Sequence, residues 1–255
     1  MITTPSYEAQ HILDEYLLFH YGEGEEILPY AFGPKEALHF PVRCVSEFWG
    51  FLGQVSKSLR ALDLGCAVGR SSFELARYCH EVIGIDASHA FIKAASALQK
   101  GGCLRYTQIL TGTMKKPLTA RVPEGIDRGR VQFRVGDAHG LPNLLGSFDV
   151  VLAANLLCRM ADPRKLLNQL PSLVKPGSYL ILTTPYTWLE SSTPRQNWLG
   201  ATPEAGDSLR VIEALLQPEF RCIKVKDLPF LIREHARKFQ WSVAQGSLWQ
   251  KVQTS

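Results

Sequence analysis

The sequence has 255 residues, of which 45% are hydrophobic and 20% charged, a balance typical of a globular protein with a sizeable core. The 28 basic and 24 acidic residues give a net charge of +4, and the basic residues are spread along the chain, which argues against a nucleic-acid-binding surface. No stretch approaches the ~20 apolar residues of a membrane helix, and the first turns are acidic, so we expect a cytoplasmic protein without a membrane segment. The six cysteines form no CxxC pair, so we expect reduced thiols and no bound metal.

Two helices are predicted ahead of the first strand. Apolar residues recur at helical spacing from Leu13 to His20, and the pattern stops at Gly22. After a loop with proline and glycine, a second apolar pattern predicts a helix over residues 44–55. Residues 1–58 are therefore predicted to form a helical cap, which we expect to close over a ligand as a lid.

Residues 59–255 are predicted to form a core in which short apolar strands alternate with helices. The predicted strands are 61–64, 81–86, 131–135, 148–154 and 179–183. The predicted helices are 72–78, 88–100, one after Pro163, and 208–216. This alternation predicts a doubly wound, Rossmann-like α/β sheet that is mostly parallel. Two alternating segments, 220–225 and 239–252, predict an antiparallel hairpin at its edge. Residues 101–130 are predicted to be an insertion, with a hairpin as one candidate structure, within a single domain over residues 1–255.

The first predicted strand runs into a glycine loop. A dinucleotide-binding fingerprint that starts at Gly65 would need glycines at positions 67 and 70, where the chain has Ala67 and Arg70. Instead, Gly65 and Gly69 stand four residues apart, and Asp63 precedes the first of them by two residues. Glycine permits a tight turn and a close approach of the backbone to a ligand. The pattern favours a ligand with a cationic amino group and no pyrophosphate.

Polar residues also follow the next strands. Asp86 ends the second strand and can accept hydrogen bonds from both hydroxyls of a ribose. Asp137, beside the small Ala138, can take an adenine amino group, and Asn155 follows the fourth strand, where the reactive end of the ligand is expected. Each alone has an ordinary alternative as a helix cap or turn residue. Their joint occurrence predicts an adenosyl ligand held by Asp63, Gly65, Cys66, Ala67, Gly69, Asp86, Ala87, Asp137, Ala138 and Asn155.

The segment LDLGCAVG, residues 62–69, resembles the first motif of class I S-adenosylmethionine-dependent methyltransferases. Five further segments resemble the methyltransferase domain of ovothiol biosynthesis: EYLLFHYG (15–22), LPYAFGP (28–34), FPVRC (40–44), TPYTWLE (184–190) and LPFLIREH (228–235). This resemblance runs from about Tyr7 to Lys251. It implies S-adenosylmethionine as methyl donor, with S-adenosylhomocysteine as product, and 5-thiohistidine as acceptor, methylated on the ring nitrogen nearer the side chain.

The family's domain is usually fused behind an iron-dependent sulfoxide synthase, which this chain lacks. Either a separate synthase supplies the substrate, or the sequence is a piece of a longer protein. A related imidazole, such as a trimethylated thiol-histidine or a selenium analogue, is an alternative acceptor.

Methyl transfer depends mainly on alignment, although a weak base could free the ring nitrogen of its proton. The catalytic candidates are Asn155, Tyr186, Glu190 and His235, with Glu234 as a further possible base. We expect Arg233 to clamp the carboxylate of the acceptor and Arg43 that of the donor, although both could form surface ion pairs. Aromatic residues are expected to wall the acceptor pocket, with core packing as the alternative for each: Tyr16, Tyr21, Phe32, Tyr186 and Trp188.

Three other functions compete with methyl transfer. A dehydrogenase would share the fold, but the glycine spacing counts against it. A non-catalytic protein that binds the adenosyl ligand is an alternative of another class. A nucleic-acid methyltransferase is disfavoured because Asn155 is followed by Leu156, Leu157 and Cys158 rather than by a Pro-Pro-Tyr motif.

Overall fold

The computed structural model describes residues 7–52, 58–141, 145–203 and 206–253. Within these ranges the α-helices are α1 (Gln10–Tyr21), α2 (Gly24–Ile27), α3 (Phe40–Trp49), α4 (Arg70–Leu75), α5 (His89–Gly101), α6 (Pro163–Leu173) and α7 (Ser208–Leu216). The strands are β1 (Arg60–Leu64), β2 (Glu81–Asp86), β3 (Cys103–Thr111), β4 (Met114–Arg121), β5 (Val131–Val135), β6 (Phe148–Ala154), β7 (Val174–Thr184), β8 (Phe220–His235) and β9 (Lys238–Lys251). No helix in these ranges is both long enough and apolar enough to cross a membrane.

Seven strands form one sheet in the order β5-β2-β1-β6-β7-β9-β8. Strands β5, β2, β1, β6 and β7 run parallel, whereas β9 is antiparallel to both β7 and β8. The predicted doubly wound, mostly parallel sheet with an antiparallel edge hairpin is therefore confirmed.

Helices cover both faces of the sheet, which explains why its central strands are mostly apolar. Along β6, Val150 and Leu152 pack into a core cluster shared with α3, α4 and α5. The intervening Val151 and Ala153 pack into a second cluster, which is shared with α6 and α7. The alternation follows from the strand geometry, in which successive side chains point to opposite faces.

Most element boundaries agree with the prediction, and the differences have local causes. The second predicted helix corresponds to α3, which begins at Phe40 rather than at residue 44, because Pro41 suits its first turn. It ends at Trp49, and residues 53–55 of the predicted helix lie outside the described residues. The helix predicted over residues 72–78 occupies Arg70–Leu75 instead.

The two hairpins differ in how well the sequence predicted them. The insertion forms the antiparallel pair β3–β4, which makes a separate two-stranded sheet. The C-terminal hairpin was predicted correctly in kind but too short, since β8 continues through Pro229 as far as His235. Proline is tolerated there because β8 is the edge strand of the sheet.

Two hydrogen bonds attach the N-terminal segment to the loop that follows β1 and to the first turn of α4. The hydroxyl of Tyr21, at the end of α1, donates a hydrogen bond to the carbonyl of Val68 (2.7 Å). The hydroxyl of Ser71 donates to the carbonyl of Pro41 in α3 (2.8 Å). These contacts place α1 and the start of α3 over the carboxyl edge of the sheet.

Candidate active site

The carboxyl ends of the parallel strands meet at one edge of the sheet, where the winding direction reverses between β1 and β6. Open α/β sheets bind ligands at such a point. Three non-glycine residues in the loops that follow these strands adopt the left-handed region: Ala67 (φ 46°), Asn155 (φ 52°) and Tyr186 (φ 52°). Backbone strain of this kind concentrates at functional sites, so it indicates a functional site at this edge of the sheet.

A cavity of about 650 Å³ opens at this edge. It is lined by residues that follow β1, β2, β5 and β6, together with side chains of α1 and α3. Nine of the ten contacts predicted from the strand ends line it: Asp63, Gly65, Cys66, Ala67, Asp86, Ala87, Asp137, Ala138 and Asn155. Residues that are far apart in the sequence therefore meet around one space.

The tenth predicted contact, Gly69, lies outside the cavity lining. A Cβ atom added at Gly69 would lie 2.4 Å from the ring of Phe133 on β5, and its φ of 86° is in the left-handed region. The glycine therefore serves the packing of loop against sheet. At Gly65 (φ 69°) the loop turns tightly, and the backbone N–H groups of Gly65 and Cys66 donate to the carbonyl of Ile85 (2.8 and 3.1 Å).

Asp63 is a carboxyl group within the buried strand β1, with 1% of its surface exposed. The hydroxyl of Ser72 donates a hydrogen bond to its Oδ2 (2.6 Å). Burial raises the pKa of Asp63 to about 7, and the negative charge of Asp86 adds to the effect. A buried carboxylate is costly unless a positive charge accompanies it, so this position suits a cationic ligand group.

Asp86 holds the loop and the start of α5 through both of its oxygens. Oδ2 accepts a hydrogen bond from the N–H of Ala67 (2.9 Å), and Oδ1 accepts one from the N–H of Ser88 (2.8 Å). Burial raises its pKa, and these two hydrogen bonds oppose the rise. The cap of α5 is Ser88, whose hydroxyl accepts from the N–H of Phe91, so Asp86 is not needed for that purpose. Each carboxylate oxygen has a further lone pair that can accept from a hydroxyl.

Asp137 is oriented by His139. Its Oδ1 accepts hydrogen bonds from the backbone N–H (2.9 Å) and the ring Nδ1 (2.8 Å) of His139. The ring Nε2 accepts from the N–H of Asp162, so Nδ1 carries the proton. The hydrogen bonds from His139 lower the pKa of Asp137 and keep it a carboxylate.

Asn155 is fixed by Thr183 at the end of β7. Its backbone N–H donates to the carbonyl of Thr183 (2.8 Å), and its Oδ1 accepts from the hydroxyl of Thr183 (3.0 Å). The carboxamide NH₂ group has no protein partner among the described residues and belongs to a side chain that lines the cavity. It can donate hydrogen bonds to a ligand.

Of the aromatic residues predicted to contact the acceptor, Tyr16 lines the cavity. It belongs to an aromatic wall formed by Tyr16, Phe19, Phe40, Phe91 and Phe230. The ring centroids of Tyr16 and Phe91 lie 4.8 Å apart, and those of Phe40 and Phe230 lie 4.9 Å apart. The cap, together with Phe91 of α5 and Phe230 of β8, therefore supplies an apolar aromatic surface for a ring-shaped acceptor.

The other four predicted aromatic contacts lie away from the cavity lining. Tyr21 uses its hydroxyl to fasten α1, and Phe32 is 75% exposed and stacks on Tyr30. The hydroxyl of Tyr186 donates to Gln245, and Trp188 is buried in the core beside α7. Packing and anchoring account for these side chains, so their positions do not support the predicted contacts with substrate.

The two arginines predicted as carboxylate clamps donate hydrogen bonds to backbone carbonyls instead. Arg43 donates from its guanidinium to the carbonyls of Leu38 and Pro229. Arg233 is buried and donates to the carbonyl of Glu26. Neither side chain lines the cavity. Both tie the cap to β8, so the predicted clamp role has no support in this arrangement.

The predicted bases also lie outside the cavity lining. Glu190 is exposed. His235 sits at the end of β8, where its Nδ1 accepts from the N–H of Arg237 (3.3 Å) in the turn before β9. Glu234 pairs with Lys238 (2.6 Å). His235 and Glu234 make contacts within the hairpin turn, and none of the three side chains lines the cavity.

The polar residues of the cavity that were not predicted as site residues include His20, Arg159 and Ser192. Within the described residues, the side chain of Arg159 makes no hydrogen bond or ion pair. The Nδ1 of His20 and the Oγ of Ser192 are buried without a partner. In the sequence, His20 stands at a helix position and within the segment EYLLFHYG. The signal for Arg159 is its place four residues after the predicted Asn155.

Comparison with known families identifies the class of protein. Two family models, each described as a methyltransferase domain, match residues 62–182 and 123–253, and the second covers half of the chain. The chain therefore belongs to the methyltransferase domain family, whose methyl donor is S-adenosylmethionine.

Individual relatives are also methyltransferases. An uncharacterized methyltransferase from Schizosaccharomyces pombe is 29% identical over 175 residues, 62% of this chain and 56% of the relative. A ubiquinone biosynthesis O-methyltransferase from Xanthomonas axonopodis pv. citri is 30% identical over 160 residues, 60% of this chain and 53% of the relative. The chain thus spans about half the length of the curated relatives it matches.

A solved structure agrees in fold. The crystal structure of a SAM-dependent methyltransferase from Methanosarcina mazei matches with a TM-score of 0.55 and 19% identity, covering 82% of this chain and 99% of that one.

Proposed function

We propose that the protein transfers the methyl group of S-adenosylmethionine to a ring nitrogen of 5-thiohistidine or of a closely related thio- or seleno-imidazole amino acid. The observation that carries the proposal is the composition of one cavity, which joins carboxylates suited to an adenosyl donor with an aromatic wall and an unpaired arginine. The carboxylates form the donor half of the cavity, and a donor site agrees with the methyltransferase family. The aromatic wall and the arginine form the acceptor half, and the identity of the acceptor rests on the sequence resemblance.

The residues of the donor half fit S-adenosylmethionine in chemistry and order. Asp63, whose buried carboxyl has a raised pKa, would receive the cationic amino group. Asp86 would accept from the ribose hydroxyls with its remaining lone pairs, and Asp137 from the adenine amino group. Because these carboxylates come from successive strands, the donor would lie across the carboxyl edge of the sheet with its methionine end near Asp63.

The acceptor half of the cavity must bind a ring and a carboxylate, because the proposed acceptor is an imidazole amino acid. The aromatic wall offers stacking for an imidazole, and the guanidinium of Arg159 offers a partner for an amino-acid carboxylate. The positive charge of Arg159 lowers the otherwise raised pKa of Tyr16, so the guanidinium lies near the wall. In this proposal Arg159 takes the role that the sequence had suggested for Arg233.

When bound, S-adenosylmethionine supplies a methyl group on a sulfonium centre, ready for in-line displacement. The protein's part is to align the acceptor nitrogen and to exclude water. Asn155, held by Thr183, would fix one polar atom beside the reacting centre with its NH₂ group. The cap would hold the acceptor ring from the other side and act as the lid.

The proposal is tested by incubating the protein with S-adenosylmethionine and 5-thiohistidine and by following the mass of the amino acid. A gain of one methyl group, located on the ring nitrogen nearer the side chain by NMR, is the expected result. If the donor binds but no imidazole gains a methyl group, the protein is a non-catalytic binder of the adenosyl ligand.

The place of the reaction is also a proposal. The substrate would come from an activity that attaches sulfur to the histidine ring, a sulfoxide synthase by the resemblance. We propose a cytoplasmic setting, in which such a reduced thiol persists. Neither a nucleic acid nor a membrane is a proposed partner.

A further inference from the structure

Two buried polar atoms in the cavity have no hydrogen-bond partner within the described residues: the Nδ1 of His20 and the Oγ of Ser192. Buried polar groups in folded proteins are nearly always paired, and an unpaired one is costly. Both side chains line the same cavity, one from α1 and the other from the loop that follows β7. A molecule bound in the cavity would supply the missing partners.

The ring of His20 is held in a fixed orientation. Its centroid lies 5.3 Å from that of Phe19 with the planes at 78°, and 5.9 Å from that of Tyr16 with the planes at 31°. The next residue, Tyr21, is bonded to Val68 and fixes the end of α1. A ring restrained in this way can bind a ligand with little further loss of freedom.

The protonation state of His20 limits what it can do. Burial lowers the pKa of His20 to about 3, and the positive charge of Arg70 adds to the effect. The ring is therefore neutral at neutral pH, so one of its nitrogens accepts hydrogen bonds. Such a weak base is poorly suited to removing a proton but well suited to orienting a donor group.

We propose that His20 and Ser192 are positioning residues of the acceptor subsite, whose ligand is a heteroaromatic ring that carries one N–H group. The Nδ1 of His20 accepts a hydrogen bond from this N–H, and the hydroxyl of Ser192 donates to a polar substituent of the ring. The second ring nitrogen, which holds the lone pair, then faces the methyl donor. This inference rests on the proposed function.

The chemistry of the step balances without a base. The lone pair of the second ring nitrogen forms the new N–C bond, and the C–S bond of the donor breaks with its electron pair staying on sulfur. The N–H that contacts His20 keeps its proton during the transfer. The hydrogen bond thus selects which nitrogen is methylated.

The test compares His20→Leu, which removes the polar atom, with His20→Asn, whose carboxamide can replace Nδ1. His20→Leu is expected to raise the KM for 5-thiohistidine about tenfold, the effect of one lost hydrogen bond, while the Kd for S-adenosylmethionine is unchanged. His20→Asn should recover much of the loss, and Ser192→Ala should raise the KM in the same way. His80→Leu, at an exposed position next to the start of β2, is the matched control and should leave KM and Kd unaltered.

Two results would overturn the inference. One is an unchanged KM in His20→Leu, and the other is a loss of donor affinity with the KM unaltered, which would place His20 at the donor instead. If the wild-type protein does not methylate 5-thiohistidine, the proposed function fails, and the inference is then decided by NMR. With ¹⁵N-labelled histidine in the protein and S-adenosylhomocysteine bound, added 5-thiohistidine should shift the His20 Nδ1 signal, whereas an unmoved signal would refute the contact.

Discussion

The pKa of Asp63 makes donor affinity depend on pH in a way that ordinary carboxylates would not. At a pKa of about 7, roughly one Asp63 in eleven is ionised at pH 6, and about three in four at pH 7.5. If only the ionised form binds the ammonium of S-adenosylmethionine, the affinity should rise about eightfold between these two values. With a pKa of about 7.8, about a third of the donor's own amino groups have lost their proton at pH 7.5, so the expected net rise is about sixfold.

Isothermal titration calorimetry across this range would measure the effect. In Asp63→Asn, which keeps the shape and can keep the hydrogen bond to Ser72, the affinity should be lower at pH 7.5 and nearly independent of pH. A sixfold rise that persists in Asp63→Asn would show that another group titrates. A flat profile in the wild-type protein would refute the assignment of Asp63 to the amino group.

The same carboxyl group should affect stability. Because its pKa is raised in the folded protein above the unfolded value of 3.8, its contribution to stability is fully present below pH 3.8 and is lost as the pH rises through about 7. The difference in unfolding midpoint between Asp63→Asn and the wild-type protein should therefore shift in favour of the variant from pH 5 to pH 8. A constant difference in differential scanning fluorimetry would contradict the raised pKa.

Three further predictions follow from the site. Asp86→Ala should weaken S-adenosylmethionine binding on the order of 100-fold in calorimetry, through the loss of two hydrogen bonds to a charged group; unaltered affinity would disprove the ribose contact. Arg159→Met should raise the KM for 5-thiohistidine tenfold or more but leave the decarboxylated thiol-imidazole unaffected, and equal effects on both would exclude a carboxylate clamp. Removal of the residues before Phe40 should abolish turnover and leave a sheet detectable by circular dichroism, whereas retained activity would disprove the lid.

The donor half of the cavity could be predicted from sequence because the relevant residues stand at strand ends. Parallel strands bring their carboxyl ends to one edge, so the sequence alone is enough to group Asp63, Asp86, Asp137 and Asn155. Gly69 was the exception. A side chain at position 69 would clash with the ring of Phe133, and no local sequence pattern reveals this packing contact between distant segments.

The acceptor half was harder because it depends on where the cap and the hairpin pack. Arg233 and Arg43 stand in segments that resemble the family, yet their guanidinium groups turn toward backbone carbonyls. Arg159 and Ser192 carried no motif, and His20 has helical spacing that is as typical of a core position. All three are marked by their place in the cavity, and His20 and Ser192 also by a buried polar atom without a partner; both properties exist only in the folded chain.

The most direct test of the account is a competition for the methyl group. The protein would be incubated with S-adenosylmethionine and an equimolar mixture of histidine, 5-thiohistidine and their trimethylated relatives, with products read by mass spectrometry. We expect that the thiolated ring alone gains one methyl group, and that the gain disappears in Asp63→Asn at low donor concentration. Methylation of unmodified histidine, or donor binding with no methylated imidazole, would contradict it.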